Sequence, residues 1–309
     1  MTDVRPASGR QFEIRRGGAV ARVGQVAAVL REFSVDGVHF TETWDDSWVA
    51  PMGCGMVLVP WVNRVAGATW THQGKAQKLD ITELATGNAI HGLLRNTAYA
   101  VVDQRPDAVT LEASIYPQHG YPFTLDTDVT YALIEDGLKV THRLTNVGAE
   151  AAPFGVGAHP YLRVGDHAVA DLTITLTATK YSRNDDKQIP VATEPVDGTV
   201  NDLRGGVRLA DLDVDVPLTG FAVIDGRIEH RLDAPDGTGL VIWADEVFDH
   251  AQVYSPSIFP GPGKPNQRKA VAIEPVSCAV NAFNTAEGLR WLAPGETWSA
   301  SWGLRPVGF

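Results

Sequence analysis

The sequence predicts an all-β protein, a large antiparallel β-sandwich, on three observations. Apolar and polar side chains alternate along short segments from one end of the chain to the other, Asp-Gly pairs punctuate those segments, and no stretch shows a long, well-capped helical period. Alternation signals strands because successive side chains of a strand point to opposite faces, so a period of two gives one apolar and one polar face. Asp-Gly signals hairpins because tight turns need positive backbone angles that these residues tolerate. Without helices to cover a parallel sheet, doubly wound and α/β-barrel folds are excluded.

In chain order, the turn pairs fall at 36–37, 136–137, 197–198, 225–226 and 236–237. Between them, residues 109–115 (VTLEASI), 138–144 (LKVTHRL) and 172–178 (LTITLTA) read as half-buried antiparallel strands. Trp298, Ala300 and Trp302 alternate with polar residues, which predicts a last strand that closes the same core. The Pro- and Gly-rich stretches 192–206 and 255–266 are too short for linkers and read as surface loops, so residues 1–309 are expected to form one domain.

Composition is that of an ordinary globular protein, with 44% hydrophobic and 20% charged residues. A net charge of −11 with no long basic run argues against nucleic acid or an anionic membrane as partner, although a few local arginines still suffice for a small anion. No segment reaches the roughly 18 apolar residues of a membrane helix, and the first residues lack a signal-peptide core, so a cytoplasmic location is expected. Cys54 and Cys278 fit neither a disulfide framework nor a metal-ligand spacing and are expected to be packed thiols. The adjacent pairs Asp166-His167 and Asp249-His250 likewise lack a convincing ligand spacing.

Four clusters carry chemistry. In VPWVNRVAG, Arg64 offers a planar fork of donors and Trp61 an aromatic face, both suited to a sugar. In GNAIHGLLR, a turn-forming segment delivers His91 beside Gly92. In GVGAHPYL, Pro160 biases His159 to an extended backbone, and histidine exchanges protons near neutral pH. In VAIEPVSCAVNAFN, an apolar strand ends by delivering Glu274, whose basicity partial desolvation would raise. Each cluster alone also fits a structural arginine, histidine or ion pair.

Together, in this order, PWVNRVAG, the His-Gly of AIHGLLR, GAHPYL and AIEPVSCAVNAF resemble the aldose 1-epimerase (galactose mutarotase) family, over roughly residues 10–306. The resemblance implies the galactose mutarotase-like supersandwich. It implies Glu274 as general base, His159 as general acid, and Arg64 and His91 as substrate-positioning groups, with no metal or organic cofactor; Trp61 and Tyr161 are expected to contact the sugar as well. The family's sugar-binding aspartate is matched by Asp215, four residues before Thr219, with Asp213 as rival. Leu162 and Arg163 follow Tyr161 where the family commonly has Phe and Asn.

The expected reaction is therefore interconversion of the α and β anomers of a free monosaccharide by ring opening and reclosure. Alternatives are a non-catalytic sugar-binding sandwich, a glycoside hydrolase using Asp215 and Glu274, or a mutarotase specialised for a phosphorylated or sulfonated sugar that Arg163 would meet. The identity of the aldose and the oligomeric state are left open.

Overall fold

The computed structural model describes residues 5–261 and 264–309. Two antiparallel sheets carry most of the chain. The larger has nine strands in the order Ala100–Gln104, Ala108–Ile115, Leu125–Ile134, Gly137–Asn146, Thr297–Val307, Gly239–Asp245, Arg227–Asp233, Thr173–Thr175 and Val207–Arg208. The second runs Pro190–Pro195, Lys180–Asn184, Asp215–Thr219, His250–Tyr254, Val271–Val276, Gly157–Ala158 and Val57–Leu58, with Tyr161–Leu162 also paired to Val271–Val276. A smaller N-terminal sheet is built from Gln11–Arg16, Ala19–Gly24, Leu30–Val35 and Val38–His39. Among the described residues, no helix is long and apolar enough to cross a membrane.

The nine-stranded sheet follows the period-two rule closely. Leu125, Thr127, Val129, Tyr131 and Leu133 are buried, while the residues between them are half-buried on the other face. That other face carries ladders of hydroxyls, with Thr110 and Thr130 2.8 Å apart and Thr141 and Ser301 2.9 Å apart. The inner face joins one hydrophobic cluster with Val216, Leu218, Ala251, Val253, Val271 and Ile273 of the second sheet and with Ile14, Leu30 and Phe33 of the N-terminal sheet. The last strand lies centrally, between Gly137–Asn146 and Gly239–Asp245, and buries Ala300 and Trp302 in this core as its pattern predicts.

Four of the five Asp-Gly pairs stand at turns between consecutive antiparallel strands or bridge partners; Asp36 and Gly37, for example, have φ of 49° and 81°. Asp197-Gly198 instead turns the chain out of an edge strand without forming a hairpin. The strand expected over 172–178 is shorter, Thr173–Thr175. The chain there leaves the nine-stranded sheet and enters the second sheet at Lys180, keeping Leu176 and Ala178 buried while the ladder is broken. Residues 190–195 are an edge strand, not a loop, and the stretch 255–266 holds the hairpin Phe259–Gly261 with Lys264–Arg268; residues 262–263 of that stretch lie outside the described residues. Cys54 and Cys278 are buried and unpaired.

Candidate active site

The second sheet turns a polar face away from the core, and its register assembles the site. Val271 and Ile273 point to the main core, which sends Ala272 and Glu274 to the opposite face. Gln252 stands directly across from Glu274, Tyr254 across from Ala272, and Asp215 across from Tyr254. Three neighbouring strands thus present Asp215, Gln252, Tyr254 and Glu274 on one surface. Gln252 Nε2 donates to Asp215 Oδ1 at 2.5 Å.

Loops supply the histidines. His159 follows the short strand Gly157–Ala158, and its Nε2 lies 3.4 Å from Glu274 Oε1. Its ring stacks on Tyr161 at a centroid distance of 5.2 Å and 15°, and meets His91 edge-on at 5.3 Å. The backbone is strained where these groups converge, with φ of 63° at His91, 46° at Asn63 and 51° at Met52. Two glycines make the approach possible. A Cβ at Gly92 would lie 2.0 Å from the Val59 carbonyl oxygen, and one at Gly53 would press on the His159 ring at 3.0 Å.

These groups line a cavity of about 420 Å³ together with Met52, Met56, Asn63, Arg64, Thr82, Glu83, Ile90 and Arg95. Its size is that of a small-molecule site. Glu274 and His159 are only 2% and 4% exposed, and burial penalises charge on both. Burial, reinforced by Asp215, raises the Glu274 carboxyl well above the usual range, with Arg64 opposing. Burial lowers His159 to about 4, and it also lowers His91 well below its ordinary value, with His159 and Arg64 adding to the effect. Asp215 is raised by burial against the pull of Arg64.

Arg64 lies in a short ladder, paired with Ile90, that brings it beside the 82–88 loop. Its Nε and Nη2 each donate to a Glu83 carboxylate oxygen at 2.8 Å, and Nη1 donates to Asn63 Oδ1 at 3.2 Å. Burial works against the Arg64 charge, but the bonds to Glu83 raise its pKa overall. Arg95 has a looser setting, with one 3.4 Å bond to the Thr82 carbonyl.

Residues 10–305 match the family described as aldose 1-epimerase. The chain belongs to the aldose 1-epimerase family. It is 31% identical over 291 residues to the Escherichia coli K12 protein YihR, named as uncharacterized, covering 94% of this chain and 91% of that one. Its fold is similar to that of the GalM/aldose epimerase homologue from C. elegans, with a TM-score of 0.86 at 20% identity over 96% of this chain and 98% of that one. A putative aldose 1-epimerase from Escherichia coli K12 gives a TM-score of 0.81 at 21% identity, covering 96% and 99%.

In this aldose 1-epimerase family member, the structure brings together Glu274, His159, His91, Arg64 and Asp215, while Asp213 is exposed and does not line the cavity. Two expected sugar contacts are corrected. Trp61 is 3% exposed in the main core, its ring 5.7 Å from Phe283, and does not line the cavity, because its ring packs as part of the apolar wall behind it. Tyr161 is fully buried between His159 and Phe259, so it fixes the imidazole plane instead of touching the cavity. Arg163 also turns away: its Nε donates to the Gly165 carbonyl at 2.8 Å, and its guanidinium lies 3.6 Å from Asp166 and 3.9 Å from Glu42. Sequence reasoning missed Glu83, Arg95, Gln252 and Tyr254. Gln252 carried a usable signal, a polar residue in the otherwise apolar run AQV, whereas nothing in ITELATGN marks Glu83.

Proposed function

We propose that the protein interconverts the α and β anomers of a free aldose by general acid–base ring opening and reclosure. The observation that carries this reading is the buried Glu274 and His159 pair, 3.4 Å apart on the cavity wall. Anomer exchange moves only protons, and two adjacent groups that each hold or release one proton suffice for it. The Glu274 carboxylate takes the proton of the anomeric hydroxyl, the bond from the anomeric carbon to the ring oxygen breaks, and His159 protonates that oxygen. Rotation about the next carbon–carbon bond presents the other carbonyl face, and the same steps in reverse close the ring.

The pair holds one proton both before and after ring opening. Burial favours that proton on Glu274 with a neutral His159, the arrangement reached once the ring has opened. The closed sugar, donating its hydroxyl to the carboxylate and accepting from the imidazolium, stabilises the other arrangement. Because titration adds or removes a proton from the pair as a whole, kcat/KM should hold a plateau through pH 6.5, with an acid limb well below it. Polarimetry on a freshly dissolved α-anomer tests the reading. Wild-type protein should speed the approach to equilibrium and Glu274→Gln should not; an unimpaired Glu274→Gln would remove Glu274 from the mechanism. Calorimetric sugar binding with no acceleration by wild-type protein would favour a binding module instead.

A second reading, an anionic aldose, is favoured by Arg95, a cavity-lining cation with no carboxylate partner among the described residues. Anomer-exchange NMR over neutral, phosphorylated and sulfonated aldoses separates the two. An Arg95→Leu variant that loses anionic substrates alone would support the second reading, and equal rates on all neutral sugars with none on anions would end it.

A further inference from the structure

The Arg64 side chain has an opposite charge built against it. Glu83 takes the Nε and Nη2 edge of the guanidinium with both carboxylate oxygens, and the pair is mostly buried, with side chains 11% and 21% exposed. Glu83 is itself held. Thr86 Oγ1 donates to Glu83, and Asn88 Nδ2 donates to Thr86 Oγ1 at 3.0 Å and to the Lys187 carbonyl at 2.8 Å. Asn88 is fully buried and accepts from the Gly67 backbone at 3.0 Å, so the chain of bonds ends in fixed backbone. The loop closes on itself as well, with Glu83 N and Gly87 N donating to the Asn88 and Glu83 carbonyls at 3.0 and 2.9 Å.

Two consequences follow from chemistry. A guanidinium has five N–H groups; Glu83 takes two and Asn63 one, so two remain for a ligand. Those two are attached to a cation whose charge is already matched by a carboxylate in bidentate geometry, the strongest form of such a pair. A donor set of this kind serves a neutral hydroxyl well and a phosphate or carboxylate poorly, since an anion placed there also meets the Glu83 charge. Arg95, without such a partner, contrasts with it inside the same cavity.

We propose that Glu83 is a positioning and specificity-determining residue, which locks Arg64 as a charge-matched donor for one neutral sugar hydroxyl. This rests on the reading of the cavity as an aldose site. The effect belongs to ground-state and transition-state binding alike, so it appears in KM and not in kcat.

The test is a substrate series. With wild-type protein, the monodeoxy aldose lacking the hydroxyl that Arg64 holds should show a KM raised roughly tenfold, the order of one hydrogen bond to a charged group. Glu83→Gln should raise KM for the parent sugar by a similar factor, leave kcat within about twofold, and abolish the extra penalty for that one analogue. Thr86→Val, which leaves Glu83 in place and removes the hydroxyl that braces it and accepts from Asn88, should move KM in the same direction by less and guards against a folding defect in the first variant. A Glu83→Gln enzyme that keeps the full wild-type set of deoxy penalties, or that loses kcat with KM unchanged, would overturn the assignment. If wild-type protein accelerates no anomer exchange, the catalytic reading fails, yet the same series run as calorimetric Kd values still decides the role of Glu83.

Discussion

The strands Leu125–Ile134 and Val271–Val276 both lie inside antiparallel sheets, but they use burial differently. The first alternates buried residues, all apolar but Thr127 and Tyr131, with half-buried ones, so Asp126, Asp128 and Thr130 keep access to water or to hydroxyl neighbours. The second is buried at all six positions, Glu274 included. Around it, Glu274 Oε2, Gln252 Oε1, His159 Nδ1 and His91 Nδ1 are buried with no hydrogen-bond partner among the described residues. The nine-stranded sheet has buried atoms of this kind too, His142 Nδ1 and His230 Nδ1, but they are scattered, whereas those around Glu274 converge on one cavity wall.

The contrast can be broken at several points. The largest expected effect is on activity: Glu274→Gln should lower kcat by about 10² to 10⁴, the range for removing one acid–base group. Its melting temperature, followed by circular dichroism, should stay level or rise. Leu133→Ala in the nine-stranded sheet should do the reverse. Urea denaturation should show a loss of about 2–5 kcal/mol for a deleted core side chain, with kcat per folded molecule unchanged. A stability loss in the first variant, or a kcat loss in the second, would dissolve the division of labour.

The pH dependence of stability comes next. Burial lowers His159 and His230 to about 4 and His142 to about 3 from an ordinary 6.5. Between those values the unfolded chain binds more protons than the folded one, so stability falls as pH drops from 6.5 toward 4. Glu274 has the opposite sign. Its raised pKa makes the folded state hold a proton that the unfolded chain releases above 4.5, so its contribution weakens as pH rises. The melting-temperature advantage of Glu274→Gln over wild type should therefore grow from pH 4.5 to 7, and an advantage that shrinks over this range would contradict the burial argument. The smallest effect belongs to the solvent side of the large sheet, where Thr130→Val should change stability by no more than about 0.5 kcal/mol in a chemical denaturation.

How much was legible follows from which signals are local. Period-two alternation located the strands around 109–115, 138–144 and 298–302, and the Asp-Gly turns located hairpins, because both report single-strand geometry. The 172–178 run misled because alternation persists while a chain crosses between sheets, as it does after Thr175. Trp61 and Tyr161 misled because an aromatic ring in a cleft motif serves equally well as the wall behind the cleft. Arg163 meets no cavity group, and its partners, Glu42 and the Gly165 carbonyl, are set by tertiary packing and backbone path.

By itself, then, the sequence determined the fold class, the family resemblance, and the order along the chain of the candidate proton-exchanging residues. Side-chain chemistry and strand periodicity are properties of residues and their near neighbours. Only the tertiary structure decided which groups meet. Glu274 faces Gln252 because two strands 22 residues apart pair in one register, and a shift of either strand by one residue would send its own polar side chain into the core. Glu83 reaches Arg64 across 19 residues because a buried Asn88 closes its loop. Distance, burial and the proton balance between Glu274 and His159 belong to that packing, because the field each group feels comes from residues far away in the chain.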